Sequence, residues 1–339
     1  MKKKKVSITD LAKELNVTPS TVSRALNGLG NISTKRKEQI VNLAQKYGYR
    51  PNHIAKSMVS NKTFNIGLIL PEFTHNYFNN ILAGIEGITY QKGYQLLICT
   101  SDALREKEEK SCMTLLDARV DGILAAAGNS SDNLDHFTKI MDYGTPLVLL
   151  DRICEDLNTS YVITNDFDGA FEAVQYLINS GCRNIVHIKG PDYISTSFNR
   201  SLGYQQALKK NGLTYREELV IAGDSESFLD DLNLVLDTFP IDAFFAFSDY
   251  NAYDVVKVLK QKGYKIPEDI SVIGYADEPL AQYVSPQLST VKQPAYEIGK
   301  RAAEILLKII EENIEFPMTE QLKTSLVHRE TTKKVFISI

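Results

Sequence analysis

A small all-α head followed by an α/β core of parallel sheets flanked by helices is the fold predicted by this 339-residue sequence. Three observations predict it. Residues 8–26 carry two short amphipathic helical patterns split by a tight turn, the pattern of a helix-turn-helix. From residue 64 onward, short apolar runs alternate with longer amphipathic stretches. The charge is also divided: residues 1–62 hold thirteen Lys/Arg and three Asp/Glu, a net +10, and the remainder carries −14. A basic head on an acidic body is the electrostatic footprint of a nucleic-acid-binding module joined to something else.

In the head, Ser7 is placed to cap a first helix, with Asp10 completing a capping box. Ile8, Leu11, Ala12 and Leu15 form its apolar stripe. Asn16-Val17 makes the turn, Thr18 caps the second helix, and Pro19 takes its first position, where a missing N–H costs nothing. Val22, Ala25 and Leu26 face inward, which leaves Ser20, Arg24 and Asn27 outward at 100° per residue. An outward Arg among short polar groups suits major-groove reading, because its fork grips guanine O6 and N7 together. The same residues also fit an ordinary amphipathic pair with a solvated face. A third helix is expected from the Ser33 cap to Gly48, with Ile40, Leu43, Ala44 and Tyr47 inward. Arg24, Lys35, Arg36, Lys37 and Arg50 are the candidate phosphate contacts. Beyond Pro51, residues 52–59 have the length of two helical turns and no apolar partner, a segment poised between coil and helix.

In the core, strands are expected at Ile66–Leu70, Gln95–Cys99, Gly122–Ala126, Leu147–Leu150, Val162–Thr164, Ile185–Ile188, Leu219–Ala222, Ala243–Phe247 and Ile270–Gly274. Helices are expected between them, including 76–92, 105–118 and 131–142, with a further one at 295–312. Such alternation means βαβ units and sheets covered on both faces. So many strands divide into two subdomains, with one ligand held beyond the strand ends where they face each other.

Composition narrows the function. An apolar content of 43% and a charged content of 24% are those of a soluble globular protein, and no apolar run reaches membrane-spanning length. Lys2–Lys5 precede no apolar stretch, unlike a secretory signal. Cys99, Cys112, Cys154 and Cys182 are scattered, which fits reduced thiols in the cytoplasm. No Walker loop, Rossmann fingerprint, His-Glu-x-x-His or Gly-x-Ser-x-Gly is present, and the five histidines are far apart. No cofactor, metal or catalytic group is therefore expected.

The chain resembles the LacI/GalR family of bacterial transcription regulators over essentially its whole length. The resemblance is carried by Val-Thr-Pro-Ser-Thr-Val-Ser-Arg-Ala-Leu-Asn (17–27), Gly-Tyr-Arg-Pro-Asn (48–52), Asn-Ile-Gly-Leu-Ile-Leu-Pro (65–71), Leu-Leu-Asp-Arg (149–152), Asn-Arg-Ser-Leu-Gly-Tyr (199–204) and Ile-Pro-Glu-Asp-Ile-Ser-Val-Ile-Gly-Tyr (266–275). It implies a homodimer on a pseudo-palindromic operator and a periplasmic-binding-protein-like core that senses a small molecule, often a sugar. It also implies a division of the chain: head 1–49, hinge helix and linker 50–62, an N-subdomain of 63–163 with 292–323, and a C-subdomain of 164–291 with 324–339.

By the same resemblance, Pro19, Ser20 and Arg24 read bases, with Asn27 on the same face, while Thr18, Thr21 and Ser23 hold phosphates. Asn52, Ala55 and Met58 lie on the hinge helix, with Met58 in the place of a leucine wedge for the minor groove. Tyr77, Phe78, Asp151, Thr196, Arg200, Ser248, Asp249 and Ala276 take effector-facing positions. Ala276 stands where the family commonly has a carboxylate that holds sugar hydroxyls. An Arg200 left without that counter-charge would favour a sugar phosphate or sugar acid over a neutral sugar. The alternatives are a sugar-binding receptor and an α/β enzyme with an appended DNA-binding head.

Overall fold

The computed structural model describes residues 6–26, 30, 32–49, 62–128, 134–312, 314 and 317–334. Asn27, Asn52, Ala55 and Met58, and with them the expected hinge helix, lie outside the described residues. The chain divides into two compact units, Met1–Thr63 and Phe64–Ile339.

In the first unit, α1 (Ile8–Glu14), α2 (Pro19–Leu26) and α3 (Thr34–Lys46) pack around Leu11, Ala12, Val22, Ala25, Ile40 and Ala44. The capping box forms: the Asp10 amide donates to Ser7 Oγ at 3.2 Å, and the Ser7 amide donates to Asp10 Oδ2 at 2.9 Å. Thr18 Oγ1 accepts the Thr21 amide at 3.2 Å. Ser33 stands at the start of α3, but its side chain makes no capping bond. Arg36, one of the candidate phosphate contacts, is half-buried and engaged within the head. It donates to the carbonyl of Leu15, the C-cap of α1, at 2.7 Å.

The second unit holds two six-stranded sheets. The first contains β1 (Asn65–Leu70), β2 (Gln95–Thr100), β3 (Gly122–Ala125), β4 (Leu147–Leu150), β5 (Ser160–Thr164) and β11 (Thr319–Leu322), in the order β11-β5-β4-β3-β1-β2. The second contains β6 (Ile185–Lys189), β7 (Val220–Ala222), β8 (Ala243–Ala246), β9 (Ser271–Ala276), β10 (Ser289–Lys292) and β12 (Ser325–Val327), in the order β12-β10-β9-β8-β6-β7. All pairs are parallel except β10 with β12. β10, β11 and β12 were not anticipated as strands.

Helices cover both faces of each sheet, as parallel strands require. On the first sheet these are α4 (Asn76–Gln91), α5 (Arg105–Asp117), α6 (Asp135–Asp142) and α11 (Ala295–Glu312). On the second they are α7 (Asp166–Asn179), α8 (Ser195–Lys210), α9 (Phe228–Thr238) and α10 (Asp249–Gln261). The chain passes between lobes three times: after β5, after β10, and between β11 and β12. Among the described residues, no helix is long and apolar enough to cross a membrane.

Candidate effector cleft and DNA-binding head

The head presents its charge on the face opposite its core. Val22 and Ala25 are buried, whereas Pro19, Ser20 and Arg24 are exposed and Thr21 and Ser23 half-buried. Thr18 Oγ1 lies 2.8 Å from Ser20 Oγ and 2.9 Å from Thr21 Oγ1, so the three hydroxyls form one polar cluster at the helix start. Lys35 and Lys37 are exposed.

In the core, the carboxyl ends of both sheets converge on a cavity of about 260 Å³. All eight effector-facing residues named from the sequence line it: Tyr77, Phe78, Asp151, Thr196, Arg200, Ser248, Asp249 and Ala276. They do not do equal work. Phe78 is 2% exposed and packs mainly in the first lobe's core, with the Arg152 guanidinium 5.3 Å from its ring centroid. Ser248 is the N-cap of α10, accepting the Asn251 amide at 3.2 Å. Asp249 is wholly buried and already engaged, accepting from Thr290 Oγ1 at 2.5 Å and from the Glu278 amide at 2.7 Å. Burial pushes its carboxyl up to about 6.

Arg200 is not left without a counter-charge. Its Nε and Nη2 both lie 2.8 Å from Asp166 Oδ1, and its Nη1 donates to the Phe247 carbonyl at 2.7 Å. Its guanidinium also lies 3.6 Å from the Tyr275 ring centroid and 4.7 Å from that of Phe247. Burial opposes its charge most strongly, but Asp166, Tyr275 and Asp151 together outweigh burial, and its pKa rises. The expectation of an acidic effector, which rested on an uncompensated Arg200, loses its basis. Asp166 was missed because it precedes Arg200 by 34 residues, on another helix.

At the first lobe's end of the cavity, Tyr77 Oη donates to Asp151 Oδ1 at 2.5 Å. Burial raises the Asp151 pKa against the pull of Arg152. The Tyr77 amide, in the first turn of α4, donates to Glu278 Oε1 of the other lobe at 3.0 Å. His75 lies 4.2 Å, ring to ring, from Tyr250, and Ser195 Oγ accepts the Ile153 amide at 3.2 Å. These contacts join the lobes around the cavity. Glu72, His75, Arg152, Phe247, Tyr275, Glu278 and Gln293 line it too and were not singled out from sequence. Among the described residues, no group of His, Cys, Asp and Glu has the arrangement to hold a metal.

A basic helix-turn-helix and, on the same chain, a two-lobed α/β unit with a polar cleft together define a ligand-responsive DNA-binding regulator. Residues 7–52 match the bacterial regulatory proteins of the lacI family, and residues 174–332 match the periplasmic binding protein-like domain. The chain is 31% identical over 336 residues to the HTH-type transcriptional repressor PurR of Vibrio campbellii, covering 97% of this chain and 99% of that one. It is 31% identical to catabolite control protein A of Priestia megaterium over 334 residues, covering 97% and 99% of the two chains. Among solved structures, a complex of the transcriptional regulator CelR with cellobiose superposes with a TM-score of 0.74 at 28% identity, covering 96% of this chain and all of that one. The lac repressor dimer bound to operator and the anti-inducer ONPF has a TM-score of 0.86 at 23% identity, covering 97% and 99%, and shows the shared fold. The chain belongs to the LacI family of bacterial transcription regulators. It is a ligand-regulated DNA-binding repressor and not an enzyme.

Proposed function

We propose that the effector is a neutral, hydroxyl-rich small molecule of the sugar class, bound between the lobes. The observation that carries this reading is the pairing of Arg200 with Asp166 in a cavity already rich in acceptors. Glu72, Asp151, Asp224, Asp249 and Glu278 line the cavity with only Arg152, Arg200 and His75 as basic groups. An anion would meet surplus negative charge, whereas hydroxyls have carboxylate acceptors to donate to. Tyr77 supplies aromatic surface, and the Thr196 hydroxyl makes no hydrogen bond among the described residues. The cellobiose bound by CelR and the ribose bound by an Enterococcus faecium LacI-family regulator are ligands of this chemistry.

The lobes correspond to 63–163 with 292–323 and 164–291 with 324–339. Effector contacts from both sides favour one relative orientation of the N-subdomains in the dimer. That orientation controls whether the segment 50–62 of each protomer folds as a hinge helix on a pseudo-palindromic operator, with Asn52 and Ala55 on the helix and Met58 at the operator's centre. A coupling of about 1–3 kcal/mol changes operator affinity roughly 5- to 150-fold. On each half-site, Pro19, Ser20 and Arg24 read bases, while Thr18, Thr21, Ser23 and Lys35 hold phosphates. A cytoplasmic homodimer is the working form.

The test is a thermal-shift comparison of neutral sugars with sugar phosphates and sugar acids, followed by operator binding with each hit. Neutral sugars are expected to stabilise the protein and acidic ones to fail; the reverse order removes this reading. For the head, Arg24→Ala is expected to relax base preference. Lys35→Ala should weaken all DNA about equally and lower the salt dependence.

A further inference from the structure

Gln293 is 5% exposed and stands where the chain leaves β10 of the second sheet for α11 on the first. Its Nε2 donates to Tyr77 Oη at 3.1 Å and to Thr164 Oγ1 at 3.2 Å. Each hydroxyl passes its own proton on, Tyr77 to Asp151 Oδ1 and Thr164 to Asp166 Oδ2 at 3.0 Å. Asp166 in turn holds Arg200. The six residues form one unbroken line from the Asp151 end of the cavity to the Arg200 end, across two of the crossovers between lobes.

The polarity of this line is fixed by chemistry. Both carboxylates only accept, so both hydroxyl protons are committed outward and both hydroxyl oxygens need a donor. A side-chain amide nitrogen supplies two at once. Neither a carboxylate nor an apolar side chain of the same length does.

We infer that Gln293 is a positioning residue for the effector: its two amide protons orient Tyr77 and Asp151 at one end of the cleft and Asp166 and Arg200 at the other. The inference rests on the reading of the cleft as the effector site. It gives the crossover a task beyond linking the lobes, because both ends of the site are aligned from one buried group.

The test uses the full-length protein, with ribose and cellobiose as calorimetric probes. Gln293→Met keeps the side-chain length and removes both donors, and is expected to weaken binding of the sugar that the wild type takes about tenfold. Gln293→Glu replaces two donors by acceptors. It is expected to bind equally poorly near about pH 8 and to regain affinity relative to wild type toward about pH 5, as its carboxyl gains an O–H donor. Gln293→Met shows no such recovery. Unchanged affinity in Gln293→Met, or a Gln293→Glu profile parallel to it, overturns the inference.

A second measurement needs no ligand. Tyr77→Phe and Thr164→Val are expected to be coupled in urea unfolding of the wild-type background and additive in Gln293→Met. Additivity in both backgrounds also overturns the inference. If the wild type binds neither sugar, the proposed ligand class fails for these probes, and the unfolding cycle alone decides the role of Gln293.

Discussion

Arg200 shows how much of a binding site is decided behind the side chain that faces the ligand. Its guanidinium is about as buried as a charge can be, and it is stable there because Asp166 and the Phe247 carbonyl take its donors while two rings cover its faces. Removing one partner of such a pair leaves an uncompensated buried charge. Asp166→Asn is therefore expected to cost about 3–5 kcal/mol of stability, measured by urea unfolding. A loss under about 1 kcal/mol would show that water reaches the guanidinium and replaces the carboxylate. Legibility at this scale was uneven. Asp151 and Arg200 were found because each stands in a local run of residues that resembles the family, Tyr77 because it follows such a run, and Thr196 because it lies one helical turn before Arg200. Asp166, Glu278 and Gln293 were not, because their meaning lies in pairings of 34, 201 and 216 residues' separation, which leave no local pattern.

Elements were legible where one physical requirement dominates their composition. The α1 capping box and apolar stripe are local, and so is the Pro19 start of α2; strands buried on both faces read as continuous apolar runs. β10 (Ser-Thr-Val-Lys) and β11 (Thr-Glu-Gln-Leu) carry no such run, being short and polar, so their pairing rests on tertiary context. The α1 cap yields a direct test. Ser7→Ala is expected to cost the head about 0.5–2 kcal/mol, seen as faster amide exchange across Leu11 and Ala12 with the core unaffected. Packing between α4 and α11 yields another. A Cβ on Gly84 would stand 2.1 Å from the Tyr296 carbonyl oxygen, and one on Gly299 would stand 2.0 Å from that of Ile81, so the two backbones are in contact. Gly84→Ala must push the helices apart and is expected to lower stability by about 1–3 kcal/mol or more. Gly87→Ala on the same helix meets only the Tyr296 hydroxyl at 3.3 Å and serves as the near-neutral control in the same thermal melts.

At the scale of the whole molecule, the second lobe buries two titratable groups whose protonation pulls stability in opposite directions. In the second lobe His187 is stacked between Tyr204 and Phe245, with ring centroids 5.0 and 5.2 Å away. Its Nδ1 donates to the Phe245 carbonyl at 3.1 Å, which leaves Nε2 to accept from Ser201 Oγ at 3.0 Å; both nitrogens are satisfied in the neutral ring. Burial pushes its pKa down to about 4 from 6.5. The unfolded chain therefore binds this proton first, and the stabilising contribution of His187, complete above pH 6.5, is lost as pH falls toward 4. Asp249 acts with the opposite sign. Raised from 3.8 to about 6, it contributes most below pH 3.8 and loses that contribution as pH rises through 6. The two slopes offset each other in the same window, so the wild type should show a flatter acid limb than either group alone dictates. Replacing His187 by Gln removes one of them. The unfolding free energy of His187→Gln is expected to gain on that of the wild type by about 2 kcal/mol between pH 7 and pH 5, whatever the offset between them at pH 7. Urea titrations at those two pH values measure it. Parallel profiles would mean that the His187 ring takes up its proton in the folded protein, and that the second lobe opens to water well before it unfolds.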